Sequence, residues 1–216
     1  MDKKDTVIFD LDGTLLNTLE DLRDSVNVVM QKYGYPVHSL EEIRTFVGNG
    51  IGKLMERSVP GGRDNPDLEQ ALSDFKRYYT GHCRIKTKPY DGVVELMRVL
   101  SDHGFKLAIV SNKNDAAVKE LNDIYIGAYT KAALGDQEGR ARKPAPDAVF
   151  AALEQLGSSK GQAVYIGDSE VDHETAVNSG LDCILVSWGF RDREVLERFE
   201  GAVVVDTCEE IQKLLL

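Results

Sequence analysis

The chain has 216 residues, of which 42% are hydrophobic and 29% are charged, proportions that are ordinary for a globular enzyme. It carries 26 Lys and Arg residues against 36 Asp and Glu residues, so its formal net charge is -10 at pH 7. Nucleic acid and anionic membranes repel such an acidic surface, and we expect neither of them as a partner.

The first predicted element is a buried strand, Thr6–Phe9, which leads directly into residues 10–14, Asp-Leu-Asp-Gly-Thr. In open α/β folds, ligands bind at the carboxyl ends of the parallel strands. Two acids at alternate positions, followed by Gly and Thr, suggest a nucleophile, a proton donor and a tight turn that holds phosphate. On its own, this pattern also fits an ordinary strand-ending turn, where Asp is common.

The next stretch, residues 17–84, has helical periodicity and contains no convincing strand. It is too long for a single crossover helix, so we predict an inserted all-helical domain. Residues 1–16 and 85–216 would then form the α/β core. Within the insertion, residues 47–53 form a Gly-rich turn before a short helix, which could bind an anion through its N-terminus. A simple hinge between helices is an equally good interpretation of that turn.

Three later segments are short, rich in Val and Ile, and separated by helical patterns: residues 105–110, residues 163–166 and Asp182–Val186. This alternation predicts a parallel sheet. Ala202–Val205 is a predicted edge strand, and residues 209–216 are a predicted closing helix. Because the carboxyl ends of parallel strands lie at the same edge of a sheet, we expect the polar residues after these strands to meet there.

Three further polar motifs follow the first in chain order. They are Ser111-Asn112, Lys143-Pro144, and Gly167-Asp168-Ser169 with Asp172. With the first motif, they resemble the haloacid dehalogenase-like hydrolase superfamily, and within it the phosphoglycolate phosphatase-like branch. The resemblance extends over nearly the whole chain. It implies a Rossmann-like parallel-sheet core with a helical cap after the first motif, and a Mg²⁺-dependent phosphatase acting on a small phosphorylated metabolite.

The motifs predict a division of catalytic work. Asp10 is the predicted nucleophile, which forms an acyl phosphate that water later hydrolyses. Asp12 would protonate the departing alkoxide and then take a proton from the incoming water. Lys143 would pair with the phosphate and with Asp10, offsetting the crowded negative charge.

The predicted phosphoryl-binding groups are Thr14, which could instead steady Asp12, together with Ser111 and the side-chain amide of Asn112. In the cap, residues 47–53 resemble the substrate loop of phosphoglycolate phosphatases, which implies that Asn49, Lys53 and Arg57 meet a carboxylate end of the substrate. Two nearby bases, Lys113 and Arg142, are candidates for gathering positive charge around the phosphate, but the favoured prediction is that they carry surface charge. Residues 188–191 are predicted to form a rim loop outside the catalytic set.

The predicted magnesium ligands are Asp168, Asp10 and the backbone carbonyl of Asp12, since Mg²⁺ prefers a few oxygen ligands and several waters. Asp172 lies one helical turn beyond Asp168, so it could reach the same ion directly or bind its waters. A helix N-cap is an alternative role for Asp168-Ser169, and both roles can coexist.

Other functions remain open at this stage. A sugar phosphomutase of β-phosphoglucomutase type shares Asp10 and Asp12, although such relatives often have an aliphatic residue where Thr14 stands. Dehalogenases generally lack the second acid, and a phosphonoacetaldehyde hydrolase would need a Schiff-base lysine, for which Lys53 is a poor match. A non-catalytic phosphate-binding protein on the same fold should have lost one of the motif residues, and none is missing.

The expected localisation follows from three patterns that we do not find in the sequence: a signal peptide, a membrane span and paired cysteines. Residues 1–5 do not resemble a signal peptide, and no apolar run approaches the ~20 residues of a membrane span. The three cysteines, Cys83, Cys183 and Cys208, have no Cys-x-x-Cys spacing. We therefore expect a cytoplasmic protein with reduced cysteines. The sequence leaves open whether it is a monomer or a homodimer.

Overall fold

The structure is a computed structural model that describes residues 4–216. It contains a six-stranded parallel sheet and a separate two-stranded sheet made by two short strands. The strands in chain order are β1 (Thr6–Phe9), β2 (Leu16–Asn17), β3 (Lys88–Pro89), β4 (Lys106–Asn114), β5 (Ala132–Asp136), β6 (Ala163–Gly167), β7 (Asp182–Val186) and β8 (Ala202–Val205). The large sheet has the order β5-β4-β1-β6-β7-β8, which places the first strand at its centre.

Residues 4–216 also contain ten α-helices. They are α1 (Leu19–Lys32), α2 (Leu40–Phe46), α3 (Gly50–Ser58), α4 (Leu68–His82), α5 (Val93–Asp102), α6 (Asp115–Tyr125), α7 (Asp147–Leu156), α8 (Glu170–Ser179), α9 (Arg193–Leu196) and α10 (Cys208–Leu215). None of these helices is long and apolar enough to cross a membrane. The predicted α/β fold class, with a parallel-sheet core and a helical insertion, is confirmed.

The sheet is buried on both faces because its side chains alternate between two apolar clusters. Val7 and Phe9 of β1 pack in one cluster with Leu96 of α5. Ile8, between them, packs in the other cluster with Val149 of α7. This arrangement explains why β1 is apolar at every position instead of alternating with polar residues, as parallel strands covered on both faces do.

Three strands were not predicted from the sequence: the two-residue strands β2 and β3, and β5 of the large sheet. β5 has the sequence Ala-Ala-Leu-Gly-Asp, which lacks the β-branched and aromatic residues that favour strands. Its position at the edge of the sheet depends on pairing with β4. A Cβ atom on Gly135 would lie 2.5 Å from the Cα of Asp115, so the close approach of this strand to the start of α6 requires glycine.

The described residues divide into two units, one formed by residues 17–88 and the other by residues 4–16 and 89–216. In this division residues 85–88 stay with the helical insertion, whereas the sequence predicts a return to the core at 84/85. The cause is the buried carboxylate of Asp21 on α1, which accepts hydrogen bonds from the backbone N–H groups of Lys86 and Thr87 and from the Thr87 hydroxyl. These bonds tie the end of the insertion to its first helix.

Candidate active site

Three carboxylates meet at the carboxyl ends of two neighbouring strands. Asp10, Asp168 and Asp172 are all buried, and one oxygen of each lies within 4.8 Å of the other two. The pairing of β1 with β6 is the cause, because Phe9 is opposite Ile166 and the chain continues from both strands into an acidic turn. The backbone N–H of Asp10 donates to the carbonyl of Ile166, which extends the pairing into the site.

Lys143 supplies the positive charge of this cluster. Its Nζ lies 2.6 Å from Asp10 Oδ1 and 2.8 Å from Asp172 Oδ1, and its side chain is only 4% exposed. The same Nζ donates to the hydroxyl of Tyr165 at 3.0 Å. One ammonium group therefore bridges two buried carboxylates, and a phenol from β6 completes its coordination.

The cluster holds more negative charge than Lys143 balances. Burial raises the pKa of Asp10 to about 7, although the attraction of Lys143 opposes this shift. Burial, followed by repulsion from Asp172 and Asp10, raises the pKa of Asp168 well above its ordinary value. Burial also acts on Asp172, but Lys143 and Ser169 overcome it and hold the pKa of Asp172 below its ordinary value.

Asp172 is already saturated with protein donors. Its Oδ1 is bound by Lys143 and Tyr165. Its Oδ2 accepts from the backbone N–H groups of Asp168 at 3.2 Å and Ser169 at 3.1 Å, and from the Ser169 hydroxyl at 2.6 Å. Asp172 thus closes the capping box of α8 and fixes the backbone of Asp168, so the N-cap interpretation holds for this motif.

The carboxylate of Asp168 is fixed by two elements far apart in the sequence. Its Oδ1 accepts from the Thr14 hydroxyl at 3.2 Å, and its Oδ2 accepts from the backbone N–H of Phe190 at 2.7 Å. Thr14 is 1% exposed and contacts this acid, whereas the sequence suggested a bond to phosphate or to Asp12. Each Asp168 oxygen keeps lone-pair capacity for one further ligand.

The loop at residues 188–191, predicted to be a rim loop outside the catalytic set, packs directly against Asp168. A Cβ atom on Gly189 would lie 2.4 Å from the Cβ of Asp168 and 2.5 Å from the carbonyl oxygen of Gly13, so no side chain fits there. The indole N–H of Trp188 donates to the carbonyl of Thr14 at 3.0 Å. The sequence offered one indication of this contact, because the Gly-containing loop follows β7 at the sheet edge where the other motifs lie.

The predicted phosphoryl-binding pair lies inside β4, whereas the sequence placed it after the strand. The strand continues to Asn114 through a register shift that begins after Val110. Ser111 is buried, and its hydroxyl accepts from the backbone N–H of Lys113 at 3.2 Å. The amide of Asn112 donates to the carbonyl of Lys143 at 3.1 Å, which joins the end of β4 to the lysine loop.

Lys113 is buried, so the favoured prediction that it carries surface charge was wrong. Because β4 continues as a strand, Lys113 shares a face with Ser111, two residues earlier. Its side chain is 4% exposed, and its Nζ lies 2.9 Å from Asp12 Oδ1. The second acid of the first motif therefore has its own ammonium partner, separate from Lys143.

Two of the predicted cap residues, Asn49 and Lys53, lie in the helical unit, at and near the start of α3. Asn49 Oδ1 accepts from the Arg57 guanidinium at 2.8 Å. Lys53 Nζ pairs with Glu56 at 2.8 Å and is 41% exposed. Both side chains have partners within their own unit, in the Gly-rich segment identified from the sequence.

Comparisons with known proteins agree with this geometry. The family model described as haloacid dehalogenase-like hydrolase matches residues 7–186. A phosphoglycolate phosphatase from Thiobacillus denitrificans is 34% identical over 209 residues, which cover 94% of this chain and 92% of the relative. A phosphoglycolate phosphatase from Pseudomonas savastanoi pv. phaseolicola is 31% identical, and the match covers 95% of this chain and 77% of that protein.

Solved structures of phosphoglycolate phosphatase-like proteins are also similar to this chain. The crystal structure of a candidate phosphoglycolate phosphatase from Lactobacillus delbrueckii subsp. bulgaricus superimposes with a TM-score of 0.94 at 36% identity and covers 99% of both chains. That of a predicted phosphoglycolate phosphatase from Haemophilus somnus has a TM-score of 0.91 at 25% identity and covers 100% of both. The resemblance inferred from the four motifs is therefore confirmed.

Proposed function

The chain belongs to the haloacid dehalogenase-like hydrolase family, and we propose that it hydrolyses small organic phosphate monoesters, with phosphoglycolate as the favoured substrate. The observation that carries the proposal is the convergence of Asp10, Asp168, Asp172 and Lys143 in one buried cluster at the carboxyl end of the sheet. Full-length relatives that carry the name phosphoglycolate phosphatase support this choice of substrate.

The first chemical step is phosphoryl transfer to the enzyme. A carboxylate oxygen of Asp10 attacks phosphorus, a new O–P bond forms, and the bond between phosphorus and the ester oxygen breaks. Asp12, two residues further along and 20% exposed at its side chain, gives its proton to the departing oxygen. The proposed grip on the phosphoryl oxygens comes from Ser111 and Asn112.

The second step returns the enzyme to its starting state. Asp12, now ionised, takes a proton from a water molecule, and the resulting hydroxide attacks the phosphorus of phosphorylated Asp10. The acyl O–P bond breaks, and inorganic phosphate leaves. Lys143 stays charged throughout, because Asp10 and Asp172 outweigh burial and raise its pKa well above the ordinary value. Its fixed charge offsets the repulsion between carboxylate and phosphate.

The residues present suit a divalent cation such as Mg²⁺. The donor set consists of hard carboxylate oxygens, and its three acids face a single ammonium group, that of Lys143. We propose that Asp10, Asp168 and the backbone carbonyl of Asp12 hold the ion. We assign Asp172 to a position behind this shell, because protein donors already occupy both of its oxygens. A bound cation would neutralise charge on the reacting phosphate.

The cap residues complete the proposal. We propose that Asn49 and Lys53 contribute to binding the non-reacting end of the substrate, since they lie in the Gly-rich segment at the start of α3. Lys53 has a carboxylate partner, Glu56. A substrate carboxylate could replace that partner, because Glu56 would keep a second cation beside it, Arg63, whose Nη2 lies 3.7 Å from Glu56 Oε2.

The metal proposal makes a prediction about pH. The pKa of Asp10 is raised from 3.8 to about 7 in the folded protein, so between these values the folded state binds more protons than the unfolded state. The stability of the metal-free protein should therefore fall as pH rises through this window. Mg²⁺ binds the ionised acids, so it should raise the melting temperature more at pH 8 than at pH 5. Thermal denaturation with Mg²⁺ or with EDTA at both pH values measures this difference, and equal shifts would contradict the proposed ligands.

The activity is tested by measuring phosphate release from phosphoglycolate, a hexose phosphate and p-nitrophenyl phosphate, with Mg²⁺ and with EDTA. We expect turnover that requires the metal and is fastest on phosphoglycolate. Release from no ester would rule out the phosphatase. Release from many esters at similar rates would leave the phosphatase standing and remove the preference for phosphoglycolate.

A further inference from the structure

The ion pair between Glu170 and Arg191 joins two stretches of chain that meet at Asp168. Arg191 Nε lies 2.8 Å from Glu170 Oε2, and Arg191 Nη2 lies 2.9 Å from Glu170 Oε1, so the contact is bidentate. The side chains of Arg191 and Glu170 are only 14% and 33% exposed. The catalytic steps proposed above use neither residue.

Each member of the pair is close in sequence to a group that fixes Asp168. Glu170 is the first residue of α8 and lies two positions after Asp168. Arg191 directly follows Phe190, whose backbone N–H donates to Asp168 Oδ2 at 2.7 Å. The ion pair and this hydrogen bond therefore connect the same two stretches of chain at adjacent points.

The usual roles of such side chains do not account for the contact. An acid in the first turn of a helix is favoured by the helix dipole, but that role needs no arginine 21 residues away. Burial acts to raise the pKa of Glu170, yet Arg191 overcomes it and holds this pKa below its ordinary value. The pair is therefore ionised at neutral pH, and the planar guanidinium holds the carboxylate in one orientation.

The loop at residues 188–191 has two other attachments, and neither fixes the direction of the Phe190 N–H. The indole N–H of Trp188 bonds to the Thr14 carbonyl, two residues before Phe190. The Phe190 side chain is buried, but apolar packing is non-directional, whereas a bidentate ion pair sets an orientation. The pair with Glu170 is thus the directional contact adjacent to Phe190.

We propose that Glu170 and Arg191 are positioning residues for the cation site. Their ion pair holds the loop so that the Phe190 N–H fixes the carboxylate of Asp168 in the orientation that binds the ion. Hydrogen bonds to metal-ligating groups typically change metal affinity by about 10–100-fold when they are lost. This inference rests on the proposed cation site and adds two residues that touch neither the ion nor the substrate.

The test measures the dissociation constant of Mn²⁺, which accepts the same oxygen ligands as Mg²⁺ and whose free concentration can be read by electron paramagnetic resonance. In Arg191→Met, this constant should rise on the order of tenfold to hundredfold. Charge alone predicts the opposite sign, because removing a cation near the site should strengthen cation binding. The control Arg98→Met breaks a bidentate pair of the same kind, with Glu95 on α5, and should leave the constant unchanged.

Two further variants separate the ion pair from the individual charges. Glu170→Met should also weaken Mn²⁺ binding, and the double variant with Arg191→Met should bind no more weakly than the worse single variant, because both changes break one interaction. Arg191→Lys keeps the charge but cannot form the bidentate contact, so it should lose affinity as well. This variant decides the question if Arg191→Met does not fold.

The outcomes distinguish this inference from the proposal on which it rests. Unchanged or tighter Mn²⁺ binding in Arg191→Met, wild-type affinity in Arg191→Lys, or losses that add in the double variant would each overturn the positioning role. In those cases the wild-type protein still binds Mn²⁺, and the proposed cation site stands. A wild-type protein that binds no Mn²⁺ would overturn the cation site and this inference together.

Discussion

Replacing Asp10 with Asn should abolish turnover of every ester, with a loss in kcat of about 10⁶-fold, comparable to removal of the nucleophile in other covalent hydrolases. An amide oxygen is a poor nucleophile and cannot form the acyl phosphate. The fold should remain, because the amide oxygen of Asn can still accept the hydrogen bond that Lys143 donates to Asp10 Oδ1. Phosphate release under single-turnover conditions measures the chemical step, and circular dichroism checks the fold.

A matched variant, Asp12→Asn, distinguishes the proposed general acid from the proposed nucleophile by the size of the loss in activity. It should lose roughly 10²–10⁴-fold on phosphoglycolate, the usual contribution of a general acid–base group. With p-nitrophenyl phosphate, whose leaving group needs no proton, the loss in forming the acyl phosphate should be much smaller. Asp10→Asn should be inactive on both substrates. Full activity of Asp10→Asn on either ester would rule out the covalent mechanism.

The parts of the site that could be predicted from the sequence are those attached to strand ends. Asp10 and Asp168 follow short apolar runs that predict buried strands, and neighbouring parallel strands bring their ends together. Lys143 lies on a loop, and it was placed in the site because the Lys143-Pro144 motif resembles that of the family. Its contacts with Asp10 and Asp172 depend on the folded loop and are not visible in local sequence.

The features of the site that the sequence did not predict depend on how far a strand continues and on how closely two backbone segments approach. Local sequence patterns encode neither. Lys113 is polar and follows two polar residues, so it looks like the start of a loop, yet β4 continues through it and buries it. Gly189 looks like any loop glycine, although its missing side chain is what lets the loop lie against Asp168. In both cases tertiary packing overrides local preference.

Replacing Lys143 with Met should destabilise the protein at pH 8 by about 3–5 kcal/mol, the cost of leaving a buried charge without its partner. Asp10 and Asp172 would then repel each other with no cation between them. Chemical denaturation measures the free energy of unfolding. The matched control is Arg193→Met, which removes a cation that also bridges two carboxylates, Glu197 and Asp206, but is 41% exposed. Its loss should be at most about 1 kcal/mol.

The pH dependence of this loss identifies its cause. Without Lys143, burial and mutual repulsion would raise the folded-state pKa values of both Asp10 and Asp172 above the ordinary 3.8. The folded variant would then bind more protons than the unfolded chain, so its stability should fall as pH rises from 5 to 8. Adding Asp172→Asn to Lys143→Met should recover part of the loss, because the two sites share one interaction. A loss that is the same at both pH values would mean that Lys143 stabilises the site through packing alone, and its charge would then have no role in holding the carboxylates together.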